Sequence, residues 1–150
     1  MKMTEEAVSA LLAGAPVAYL STVDADGAPY TVPVHFACAG GKVYIHGKAA
    51  GRKLDNLARD PRVCLTVSEM QGLLLADKPD PCRTNTAFRS VVIRGEAAVL
   101  TDLPRKLAAL RAVADKYTPQ LKSMPIPPAA AERTAVIEIT IRDITGKYYG

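Results

Sequence analysis

The sequence has no tryptophan, only two phenylalanines and two histidines, and three cysteines (Cys38, Cys64 and Cys82) with no Cys-x-x-Cys pair among them. An odd cysteine count without that spacing suggests neither a disulfide framework nor a zinc knuckle. Two histidines leave a zinc site short of ligands, so no metal is expected. Missing too is any apolar run near the ~20 residues that cross a bilayer, and the first residues lack the apolar stretch of a signal peptide. No membrane partner is expected, and a reducing cytoplasm is the default location. Nor is there a block of like charge. The 19 Lys and Arg against 15 Asp and Glu leave a net +4 that is scattered along the chain, without the basic, aromatic-studded stripe of a nucleic-acid binder. Nucleic acid is therefore not an expected partner, whereas a small anionic ligand suits the mild positive excess.

What is present is ordinary for a globular protein: 49% hydrophobic and 23% charged residues. A chain of 150 residues suits one domain, and one of that size buries about 70% of its extended surface. No internal repeat or boundary divides it, so residues 1–150 are read as a single domain.

The central stretch, GGKVYIHGKAAGRKLDNLARDPRVCLTV from Gly40 to Val67, organises the rest. It reads as a strand (Lys42 to His46), a small-residue turn, a short helix opening with Arg52 and Lys53, and a buried strand (Arg62 to Val67). Two cations at the start of a helix, just past a Gly-rich turn, suit an anion. The first-turn N–H groups and the positive end of the helix dipole favour phosphate, and arginine adds a planar fork of donors.

Around it, Thr4 to Ala13 reads as an amphipathic helix with Val8, Leu11 and Leu12 as its stripe. Val17 to Thr22 is a strand, closed by the Asp24-Ala25-Asp26-Gly27 turn. Pro29 to Cys38 alternates as one strand, in which Pro33 cannot donate to a ladder and so marks an edge or bulge. Gly40-Gly41 is a two-residue hairpin turn. With that turn, residues pair when their numbers sum to 81, which sets Phe36 against Ile45 and His35 against His46. Ser68 to Asn85 reads as a polar loop. Phe88 to Leu100 is a long strand with a bend or bulge at Gly95. Asp102 caps a helix whose residues Leu107, Leu110, Val113 and Tyr117 read as packing. Pro119 to Ala131 is a connector, and Ala135 to Ile141 the last strand. About six strands and three helices, joined by hairpins, predict a mainly β protein with peripheral helices: a closed antiparallel barrel.

The runs YLSTVDADGAPYTVPVHF, VYIHGKAAGRKLDNLARDPRVCLTV, FRSVVIRGEAAVLTD and ITIRDITGK together resemble the FMN-binding split-barrel family. Within it the chain is similar to pyridoxamine 5′-phosphate oxidase and, more closely, to the nitroimidazole-resistance reductase-like branch. The resemblance implies a six-stranded antiparallel split β-barrel and a homodimer with FMN in the seam. It implies that Arg52 and Lys53 hold the flavin phosphate. It further implies that Val32, Pro33, Val34 and His35 line the flavin ring with Ile45 and His46 from the next strand, and that Ser90 is a polar flavin contact. The sequence departs from the family in lacking the basic C-terminal substrate motif of true pyridoxamine phosphate oxidases.

Three functions are open at this stage. The first is an FMN-dependent oxidoreductase acting on a small oxidised molecule such as a nitro-aromatic, with His46 either a proton source or a packing residue. The second is a haem-handling protein with His46 as an axial ligand. The third is a non-catalytic flavin or deazaflavin module.

Overall fold

The computed structural model describes residues 1–150. Its seven strands are β1 (Ala18–Val23), β2 (Pro29–Val34), β3 (Ala37–Ala39), β4 (Lys42–Lys48), β5 (Arg62–Leu74), β6 (Asn85–Val99) and β7 (Thr134–Tyr149). Its helices are α1 (Glu5–Gly14), α2 (Arg52–Arg59), α3 (Leu103–Tyr117) and the short α4 (Pro128–Arg133). All strands join one antiparallel sheet in the order β2-β1-β5-β6-β7-β4-β3.

The two ends of that sheet, β2 and β3, are consecutive in the chain, separated only by His35 and Phe36. From Val34 to Ala37 the chain spans at most about 11 Å, so the sheet must curl until its ends meet. The barrel interior is filled by one face of every strand, including Leu20, Phe36, Val43, Ile45, Leu65, Ile93 and Ile139, none more than 1% exposed. Helix α1 closes one side with Leu11 and Leu12, and starts where the Thr4 side chain accepts the Ala7 N–H.

The single strand predicted from Pro29 to Cys38 becomes two, β2 and β3. Pairing across the Gly40-Gly41 turn follows the expected register, Ala37 with Tyr44 and Ala39 with Lys42, and both glycines have positive φ. It stops there, and Phe36 with Ile45 and His35 with His46 are not paired. The chain leaves β4 at that point because β2 pairs with β1, at the far end of the sheet.

The polar stretch from Ser68 to Asn85, read as a loop, is strand over Ser68 to Leu74 and irregular from there to Thr84. β5 and β6 stay paired out to Leu74 and Asn85, with a bulge between Met70 and Gly72. This ribbon projects beyond the core, so it carries no apolar alternation by which to be recognised. β7 likewise runs past Ile141 to Tyr149 on residues that are mostly exposed.

Helix α3, capped by Asp102, lies over the outside of β7 and β4. It meets there a buried carboxylate, Glu138, which accepts two hydrogen bonds from Arg105 (2.9 Å each) and one from Tyr44 (3.1 Å). Burial alone would raise the pKa of Glu138; the Arg105 and Tyr44 hydrogen bonds and the Lys42 charge outweigh it and hold the group below its ordinary value.

The bulge expected at Gly95 is present, as a register shift between Arg94 and Gly95 against β7. A Cβ on Gly95 would lie 2.2 Å from the Thr140 carbonyl oxygen, with backbone on both sides of the clash. Gly95→Ala should therefore lower stability by about 3 kcal/mol, the upper end of the usual overpacking cost. Urea unfolding measures this, and an unchanged midpoint would show that the bulge can relax.

Candidate functional site

Closing the barrel through two residues leaves two strand edges without partners. β2 pairs only with β1. β4 pairs with β7 along its whole length, but with β3 only at residues 42–44. The other edge of β4, from Ile45 to Lys48, is open and faces the open edge of β2. Between them lies a cavity of about 370 Å³ lined by Tyr30, Val32 and Pro33 from β2, Gly47 and Lys48 from β4, and the start of α2. Such a gap presents backbone donors and acceptors from two sides to a flat ligand. Pro33, having no N–H, keeps the β2 edge from recruiting another strand.

The floor of the gap is the N-terminus of α2. Its N-cap is Gly51, which makes no side-chain cap, so the first-turn N–H groups remain available to an anion. The two cations there differ. Arg52 is committed: its Nε donates to Asp24 Oδ1 at 3.0 Å, its Nη2 donates to Asp24 Oδ2, and its guanidinium stacks 4.1 Å from the Tyr30 ring centroid. Lys53 enters no ion pair. Its Nζ lies over Gly47, 3.6 Å from where a Cβ on that residue would stand, which places a free ammonium in the cavity.

A small polar network anchors α2. Asn56, 1% exposed, donates from Nδ2 to Thr22 Oγ1 and to Asp24 Oδ1, both at 2.9 Å, and accepts from Arg59 at 2.6 Å. Hydrogen bonds from Arg52 and then Asn56 hold the Asp24 carboxyl below its ordinary pKa. Asp24 and Asn56 are site residues that the sequence reading missed: Asp24 reads as a turn former, and Asn56 is given no role. The available signal was a polar residue four positions after Arg52, beside Leu57 on the buried face.

The remaining expected residues divide. Val32 and Pro33 join the cavity. Val34 and Ile45 are 8% and 1% exposed with side chains in the core, so they can offer only backbone to the gap. His46 is exposed on β4 next to Gly47. Burial of its ring, then the charges of His35 and Lys53, push its pKa below 6.5, leaving a neutral imidazole at pH 7. His35 stands at the vertex of the gap and stacks on Tyr117, with centroids 4.4 Å apart. Tyr117, read from the sequence as packing, also accepts the Phe36 N–H (3.0 Å) and donates to the Pro16 carbonyl (2.9 Å). It thus satisfies the backbone where the strand breaks. Ser90 does not join this cavity. It sits on β6, paired with Ser68 and Lys147, three strands from β2 or about 14 Å at the usual spacing.

A family model described as pyridoxamine 5′-phosphate oxidase matches residues 4–148. The chain belongs to the pyridoxamine 5′-phosphate oxidase family. Its fold is accordingly the flavin-binding split barrel of that family. Among solved structures, the flavocytochrome Anf3 of Azotobacter vinelandii is 32% identical with a TM-score of 0.84, over 98% of this chain and 68% of that one. A candidate 5-nitroimidazole antibiotic resistance protein from Bacteroides thetaiotaomicron is 23% identical with a TM-score of 0.84, over 97% and 85% of the two chains. An FAD and haem binding protein from Mycobacterium smegmatis is 22% identical with a TM-score of 0.86, over 97% and 71%. Among curated proteins none matches the sequence.

A flavin nucleotide fits what this family member offers: two open strand edges for a planar ring, and uncapped N–H groups with a free lysine for a phosphate. An NMR titration of the protein without cofactor should place His46 below 6.5. Lys53→Met, which removes a positive neighbour, should move it upward. No movement would put Lys53 outside the reach of His46.

Proposed function

We propose that this protein is an FMN-dependent oxidoreductase that reduces small oxidised organic molecules, nitro-aromatics among them, in two-electron steps. The observation that carries the reading is the gap between β2 and β4, ending on the uncapped start of α2 with Lys53 free beside it. The phosphate of FMN bears about −1.5 to −2 charges at neutral pH and needs both cations and N–H donors. Lys53 supplies the uncommitted charge. Arg52, fixed by Asp24 and Tyr30, supplies a preset direction for the donors its pair leaves unused. With one such cation the cavity suits one phosphate, which favours FMN over a dinucleotide.

When bound, the flavin supplies the electron chemistry, and the chain's residues hold it, orient it and handle protons. His46, neutral at pH 7, can donate a hydrogen bond to a substrate oxygen or nitrogen, and its protonated form can deliver a proton below its lowered pKa. The nitro-aromatic choice rests on the likeness to the Bacteroides protein and the family resemblance, so the assay must carry it.

The working unit is a homodimer. By strand parity with buried Leu20 and Val91, the outer face of the sheet carries Val17, Tyr19, Ser68, Ser90 and Val92, and Met70, Leu73 and Leu75 are 65%, 59% and 75% exposed on the adjoining ribbon. An apolar face of this kind suits a second copy, and that copy is how a Ser90 could reach a flavin. A haem-handling role is the second reading. The 32% identical flavocytochrome and the proximity of the only two histidines favour it, His46 being the candidate ligand because His35 is stacked on Tyr117.

One preparation distinguishes these readings. The purified protein should show a two-band flavin spectrum and sediment at twice the chain mass. A Soret band would select haem, and a colourless protein that takes up no FMN would remove the oxidoreductase. His46→Gln should keep FMN yet slow reoxidation of the reduced protein by a nitro-aromatic, and it should flatten the pH dependence of that step below 6.5. Unchanged reoxidation across pH would make His46 a packing residue.

A further inference from the structure

A larger cavity than the flavin gap lies on the other side of the β3–β4 hairpin. It encloses about 650 Å³ between α1, α3 and the hairpin, and nine of its fifteen lining residues are apolar. Its walls are Val8 and Leu12 of α1, Ala112 of α3, Ala37 of β3, and Ile141 and Ile144 of β7. A cavity of this volume, mostly apolar with a few polar groups converging on it, has the build of a small-molecule site.

The polar groups define what it would take. Three charged residues line it: Lys42, Asp115 and Lys116. Lys42 is spent on Thr140 (3.0 Å) and Glu138 (3.5 Å), and Asp115 on Arg111 (3.0 Å). Lys116 has no acidic partner. Its Nζ donates to the Leu12 carbonyl at 3.0 Å and stands 3.6 Å from the Phe36 ring centroid. An ammonium has three N–H donors, so one remains for a ligand. The cavity thus offers apolar walls and one uncompensated positive charge. A single carboxylate balances it, and the apolar walls suit a body that carries no second charge. Burial lowers the pKa of Lys116 and raises that of its neighbour Cys38, as at many ligand sites.

We propose that this cavity is a second binding site, separate from the flavin gap, for a small apolar monocarboxylate whose head group pairs with Lys116 and whose body lies against Leu12, Ala112 and Ile144. The alternative is that Lys116 only cages itself on Phe36 and Leu12 as a packing device. The proposal does not depend on the flavin reading, since no residue of this cavity lines the gap.

Octanoate, below its micelle concentration, is the probe, with 1-octanol as the uncharged control, both followed by calorimetry. The purified protein should bind octanoate saturably at one site per chain. Lys116→Met should weaken octanoate at least tenfold while leaving 1-octanol unchanged, and Ala112→Phe should abolish both. No saturable octanoate binding, or equal affinity in Lys116→Met, would overturn the site. Should Lys116→Met fail to fold, Cys38 supplies the second measurement. In a Cys64→Ser, Cys82→Ser background, octanoate should slow alkylation of Cys38 several-fold, and an unaltered rate would refute the proposal.

Discussion

The structure depends on one constraint: two residues, His35 and Phe36, join strands at opposite ends of the sheet order. The link from Val34 to Ala37, at most about 11 Å long, forces the sheet to close, yet the chain cannot pair with β1 and β4 at once. It changes partners across the link, and the change leaves the edges of β2 and β4 facing one another without hydrogen bonds between them. Closing a barrel would ordinarily remove its edges; here the closure creates two and covers them with neither helix nor loop. Tyr117 makes the break tolerable by taking the Phe36 N–H and stacking on His35, so that no buried donor is orphaned where pairing fails.

Charge is arranged around that gap with the same economy. Asp24, bound by Arg52 and by the buried Asn56, ties the start of α2 to the end of β1. This fixes the position of the first-turn N–H groups, and it also commits one of the two cations. Lys53 is left free because the residue facing it is Gly47, whose missing side chain gives the ammonium room in the cavity. The positive field of Lys53 in turn helps keep His46 neutral. Anion affinity and imidazole protonation are therefore linked through one side chain.

Much of this was legible from local chemistry. The Gly40-Gly41 turn and the three pairs next to it, the bulge at Gly95, the cap at Asp102, and the helix opening with Arg52 and Lys53 all follow from residues within a few positions of one another. The start of α2, where the phosphate contact is proposed, was readable for the same reason. What was not legible depends on partners distant in sequence. The break after Val34 comes from competition between β1 and β4 for the same segment, and nothing in PYTVPVHFACA announces it. The β5–β6 ribbon was read as loop because it lies outside the core and has no apolar period to display. The pairing of Arg52 with Asp24 was not legible because the two are 28 residues apart. Tyr117 completes a helical stripe that looks like packing, and its contact with His35 and Phe36 crosses more than eighty residues.

The central claim is that the gap between β2 and β4, floored by the start of α2, is where the flavin nucleotide lies. Amide hydrogen exchange with and without FMN tests it most directly. The account predicts slowed exchange at Tyr30 to Val34, at Ile45 to Lys48 and in the first turn of α2, with the β5–β6 interior unchanged. Protection confined to other strands, with these three segments exchanging as before, would contradict it.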